Sequence, residues 1–247
     1  MDRFLPGRRS TVALQSENPQ EIVPSADING HGTRLASIAA GNRNLEEGVS
    51  GAAPEAELVI VKLKPAKEYL RELYLIPPEA EVFQEDDIML GISYAIKCAL
   101  RYQKPLSVCV GLGSSQGSHR GDGPLSQYIS SIADFTQNCV SVAAGNEGLA
   151  RRHYMGLLDE KTTSDILELR VGAKEAVHGF SMEFWGEASD FYHVTIQSPT
   201  GERLQVSSAL KYGTQELSFV FVETKVMVNY VPIERRSGNT LIFFRFL

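Results

Sequence analysis

The chain has 247 residues, of which 43% are hydrophobic, and its 24 Lys and Arg against 30 Asp and Glu give a net charge of −6. That length accommodates one large or two modest domains with a real core, and the acidic balance argues against a nucleic-acid partner and against attraction to anionic membranes. Residues 1–10 are charged and short of apolar side chains, unlike a signal peptide, and no apolar run is long enough to span a bilayer, so the chain reads as soluble.

In chain order, the first predicted element is a helix over residues 31–40. It opens at Asn29-Gly30-His31-Gly32-Thr33, carries Ala36, Ala39 and Ala40 for close packing, and stops at Gly41. Residues 57–63 have the near-continuous hydrophobicity of a buried parallel strand. Asp86 is placed to cap a helix reaching about residue 102, with Ile88, Ile92, Ala95, Ile96 and Ala99 at helical spacing. Residues 106–112 return as a strand, Pro124 starts a helix reaching about residue 137, and residues 139–144 form the next strand. Strands joined by helices imply right-handed crossovers and a parallel sheet covered on both faces, with ligand sites beyond the carboxyl ends of the strands. Gly111-Leu112-Gly113 and Gly145-Asn146 fall at such ends.

From about residue 165 the texture changes. Residues 166–171, 180–185, 191–198, 202–207, 217–222, 225–231 and 240–246 are short β-rich runs divided by turn signals such as Pro199-Thr200-Gly201 and Ser237-Gly238-Asn239, which suggests an antiparallel sandwich. The expected fold class is therefore α/β, a partial parallel sheet with flanking helices over residues 1–155, followed by a β-sandwich over residues 156–247. Because the chain stops inside an apolar run, it is expected to be a fragment cut within the second domain.

The chemistry gathers in two segments. His31, between Gly30 and Gly32, has room to move against a substrate as general acid and base, and Asn146 can aim a side-chain amide at a developing oxyanion. Asn146 also reads as a turn residue beside Gly145, and Gly111-Leu112-Gly113 as a simple strand-ending turn. No Gly-Thr-Ser segment follows Asn146, and no apolar strand ending in Asp precedes His31. Asp27, four residues before His31, is placed to brace the loop rather than to orient the imidazole from a neighbouring strand, and Asp2 lies in a polar stretch with no strand behind it. Cys98, Cys109 and Cys139 lack CxxC spacing and are expected as reduced core thiols. His119, His153, His178 and His193 have no ligand spacing and read as surface or structural residues, and the acidic stretch 79–87 reads as a solvated insertion.

These motifs resemble the subtilisin-like serine proteases, the subtilases. More narrowly, Val23-Pro24-Ser25-Ala26-Asp27 leading into the His31 motif, Gly51-Ala52-Ala53-Pro54, and the insertion 65–78 are similar to the clostridial spore-germination branch, the Csp proteases. The resemblance implies a serine endopeptidase working by acyl transfer through Ser, His and Asp, with His31 as the base and Asn146 as an oxyanion donor. Gly111, Leu112, Gly113, Ala144 and Gly145 would then bind an extended peptide or protein substrate through the backbone. It also implies that the β-rich part is a jelly-roll-like insertion, that calcium is a possible family cofactor although no site for it is identifiable, and that the setting is spore-associated or extracellular. Gly111 departs from the family pattern, which has Ser there. As given, without the triad Ser and Asp, the chain is expected to be inactive. A pseudoprotease that binds a peptide or partner without cutting, and a structural sandwich with a decayed α/β remnant, remain open.

Overall fold

The computed structural model describes residues 18, 21, 25–173, 178–188, 190–206 and 213–247. Asp2, Val23, Pro24, residues 1–10 and the end of the 202–207 run lie outside the described residues. The chain divides into two compact units, residues 1–63 and residues 64–247.

The first unit contains helix α1, His31–Ala40. Its last carbonyls are met from outside the helix, since the amides of Gly51, Ala52 and Ala53 donate to Gly41, Ile38 and Ala39 at 3.0, 2.9 and 2.8 Å. Gly51 is required there because a Cβ would stand 2.3 Å from the Gly41 nitrogen. Residues 57–63 do not form the expected strand. They are irregular, with Leu58, Val59, Ile60 and Val61 all exposed. A parallel strand exists only through its neighbours, and no described strand pairs with this run.

In the second unit, α2 (Glu68–Tyr74) precedes α3 (Glu85–Tyr102). The N-cap of α3 is Gln84, and Glu85, Asp86 and Asp87 fill the first turn, so Asp86 complements the helix dipole rather than capping. Strands β1 (Leu106–Val110) and β2 (Asn138–Val142) pair in parallel across α4 (Pro124–Ala133), with Val108 opposite Val140. Ile92 of α3 and Ile132 of α4 close on Val110, so both helices serve one face of this sheet. The alternation leaves Ser107, Cys109, Cys139 and Ser141 exposed on the other face. The expectations of a sheet covered on both faces and of core cysteines are corrected accordingly, with Cys98 half-buried and Cys109 and Cys139 exposed.

The β-rich part begins at β3 (Phe180–Gly186). It continues through β4 (Val194–Gln197), β5 (Arg203–Val206), β6 (Gly213–Ser218), β7 (Lys225–Val231) and β8 (Thr240–Phe246). An antiparallel sheet runs in the order β3-β8-β7-β6, and β4 and β5 form a separate hairpin. Val194, Ile196, Leu204 and Val206 of the hairpin pack on Val226, Val228, Ile242 and Phe244 of the larger sheet, which completes a two-layer core. Residues 166–171 were expected as a strand but are irregular and exposed, and the strand expected at 217–222 sits at 213–218. The Glu202 carboxylate accounts for the latter, because it accepts the amides of Val220 at 2.8 and 2.9 Å and Phe221 at 3.1 Å and holds them in a turn.

Candidate functional site

The loop entering α1 is built around Asp27. Its carboxylate accepts the Gly30 amide at 3.0 Å and both the amide and the hydroxyl of Thr33 at 2.7 Å. The Thr33 hydroxyl, followed by the Thr33 amide, holds the Asp27 carboxyl below its ordinary value. Asn29 Oδ1 accepts the His31 amide at 2.9 Å, and Gly30 adopts the left-handed φ of 78° that the entry requires. His31 is thus fixed through its backbone while its side chain is exposed at the helix opening. Asp27 braces the loop, as the sequence suggested, and its oxygens are committed to Gly30 and Thr33 rather than to an imidazole.

In the second unit, the two predicted backbone segments meet at one sheet end. The Ala143 amide donates to Val110 O at 2.9 Å, which carries the β1–β2 ladder past its last paired residues. A Cβ on Gly113 would lie 3.6 Å from Ala143 O, so the path of Gly111, Leu112 and Gly113 runs beside that of Ala143, Ala144 and Gly145. Gly145 turns at φ 80°, and Asn146 follows it, exposed. The turn beyond is closed by the Ala150 amide on Glu147 O at 2.8 Å and by an Arg152–Glu147 ion pair at 3.0 Å. A short extended chain laid against Gly111–Gly113 would therefore find backbone donors and acceptors on one side and the Asn146 amide near the sheet end. His31 lies in the other unit.

Residues 114–122 follow directly. Gly117, His119 and Gly121 all have positive φ, at 98°, 57° and 75°. The His119 and His153 rings approach to 4.3 Å between centroids, which joins this loop to the segment after Asn146. The Gly117 amide donates 2.8 Å to Glu183 of β3, a partner that sequence reasoning missed because nothing local links residues 66 positions apart. His119, His153, His178 and His193 are all exposed. Among the described residues no three His, Cys, Asp or Glu side chains converge on a metal position. In the acidic stretch, Asp87 pairs with Lys64 at 3.0 Å and Asp86 accepts from Gln84 at 3.0 Å.

The subtilase family profile matches residues 8–166. An intracellular serine protease of Paenibacillus polymyxa is 35% identical over 146 residues, which is 59% of this chain and 36% of that protein. The major intracellular serine protease of Bacillus subtilis (strain 168) is 32% identical over 125 residues, 50% of this chain and 31% of its own length. The solved structure of the Clostridium perfringens CspB protease superposes with a TM-score of 0.73 at 26% identity, covering 98% of this chain and 48% of that one. The chain thus spans about half or less of the length of the relatives it matches. With more than half of its length inside the family profile, the chain belongs to the subtilase family.

Proposed function

We propose that the chain is the base-and-oxyanion portion of a subtilisin-like serine endopeptidase, with residues 1–155 as part of the catalytic domain and residues 156–247 as the inserted β-domain. His31 is the general base and acid, Asn146 supplies an oxyanion donor, and Gly111, Leu112, Gly113, Ala144 and Gly145 pair with an extended peptide. The observation that supports this best is the side-by-side run of Gly111–Gly113 and Ala143–Asn146 beyond the carboxyl ends of two parallel strands. Acyl transfer also needs a nucleophilic Ser and an Asp that holds the imidazole tautomer. The segments that would present them are not in this sequence, so the chain alone does not turn over peptides. The Csp likeness suggests a spore-associated setting.

The test is hydrolysis of casein and of peptide esters by the chain beside a His31→Ala control. No turnover sensitive to that substitution is expected. Turnover abolished by it would mean that nucleophile and acid lie within these residues, and the incomplete-site reading would be wrong. In a longer protein carrying both residues, Asn146→Ala should lower kcat by about a hundredfold to a thousandfold, the range known for such a donor in subtilisin.

A second reading is a peptide-binding relative without turnover, with which Gly111, where the family pattern has Ser, is compatible. Binding through main-chain groups survives that change. Turnover in the longer protein would exclude this reading, and binding without turnover would establish it.

A further inference from the structure

In β3, Phe180, Met182 and Phe184 point into the sandwich core, so Ser181, Glu183 and Trp185 point to the opposite face. That face meets the α/β layer of the same unit. Ser181 Oγ donates to Tyr74 O at 3.1 Å, and the Tyr74 ring meets Phe243 edge-on at 5.5 Å. Glu183 Oε2 accepts two bonds of 2.8 Å, from Trp185 Nε1 within its own strand and from the Gly117 amide. Arg120, three residues on from Gly117, pairs with Glu187 just beyond the end of β3.

Gly117 and Arg120 belong to the loop 114–122, which starts directly after Gly113. Its internal ties are side-chain bonds, with Ser114 accepting the Gln116 amide at 3.1 Å and Ser118 donating to Asp122. A loop with so few backbone bonds of its own takes its order from outside. On the sandwich side that order comes from Glu183 and Glu187, and on the other side His119 packs on His153, seven residues past Asn146. The loop therefore reaches from the β-domain to both segments that flank the sheet end.

We propose that Glu183 is a positioning residue for peptide recognition: by holding the Gly117 amide it fixes the loop 114–122, and through that loop the spacing between the Gly111–Gly113 and Asn146 segments. The inserted β-domain is on this view a working part of the peptide site. The inference rests on the reading of those segments as peptide-binding.

The experiment combines amide hydrogen exchange with binding of a blocked hexapeptide of alternating Ala and Thr, followed by amide shifts of Gly111 and Gly113. Glu183→Ala should speed exchange at Gly117 and Arg120 by about tenfold or more and weaken the peptide by a similar factor, with exchange in β7 and β8 unchanged. Glu183→Gln, which keeps an acceptor oxygen, should restore both. If Glu183→Ala loses the sandwich, Glu183→Asp draws the acceptor back by one methylene and should loosen the same amides. Unchanged exchange at Gly117 in the Ala or Asp variant overturns the proposal, as does a loosened loop with unaltered peptide affinity. If the unmutated chain binds no peptide, the reading of the site fails with the inference, whereas unchanged loop exchange refutes the role of Glu183 alone.

Discussion

The parallel pair β1–β2 and the four-stranded antiparallel sheet of the second unit differ in how far they are finished. In the antiparallel sheet Val226, Val228, Ile242 and Phe244 are all 0% exposed, whereas the parallel pair closes only Ile92, Val110 and Ile132 on one face and leaves Cys109 and Cys139 bare on the other. The strands β3, β8, β7 and β6 form four-stranded pairing among the described residues, whereas β1 and β2 have only each other. Sheet strands are completed by neighbours rather than by their own propensity.

The largest expected effect falls on the finished sheet. Phe244→Ala should cost about 3–5 kcal/mol in denaturant unfolding and remove the antiparallel signature from the far-UV spectrum. Ile92→Ala, in the smaller cluster, should cost about 2–3 kcal/mol, and a larger loss there than at Phe244 would reverse the comparison. Next comes the Asp27 loop. A carboxyl held below its ordinary value of 3.8 by folding stabilises the fold above that pH, and the contribution is lost as pH falls through the lower, folded value. Amide protection at Gly30 and Thr33 should therefore be full at pH 5 and above and fade only below about pH 4, while Asp27→Ala should abolish it at every pH. Protection that survives the substitution would show that α1 does not need this brace. The smallest effect concerns the bare face. Cys109 and Cys139 should react quickly with a thiol reagent and Cys98 more slowly, with stability altered by no more than about 0.5 kcal/mol in Cys109→Ser. Equal, slow reaction of all three thiols would mean that the face is covered.

Much of this fold was legible in the sequence where the signals are local. The Asn29–Thr33 opening and Gly41 bound α1 to His31–Ala40, and β-rich runs divided by turn signals bounded β7 and β8 at Lys225–Val231 and Thr240–Phe246, as found. The helix α2 was not foreseen, because its short stretch carries no cap, and Leu75 ends it in a left-handed conformation more often taken by glycine. The strands expected at 57–63 and 166–171 failed for want of partners, which composition cannot report. For the proposed site, the motifs single out His31, the glycine runs and Asn146, and the bracing role of Asp27 follows from its place four residues before His31. Glu183 was invisible, since its partner Gly117 is close only once the sandwich has folded.

Trp185 is the single tryptophan of the chain, and its indole nitrogen donates to the same Glu183 oxygen that receives Gly117. The intrinsic tryptophan fluorescence of the protein is consequently a label already installed where the four-stranded sheet meets the loop that follows the parallel pair. A carboxylate beside an indole alters both the colour and the yield of emission, so any event that draws the loop from Glu183 should register there before it registers in global unfolding. Screening for small molecules or peptides that engage this end of the parallel sheet requires no dye.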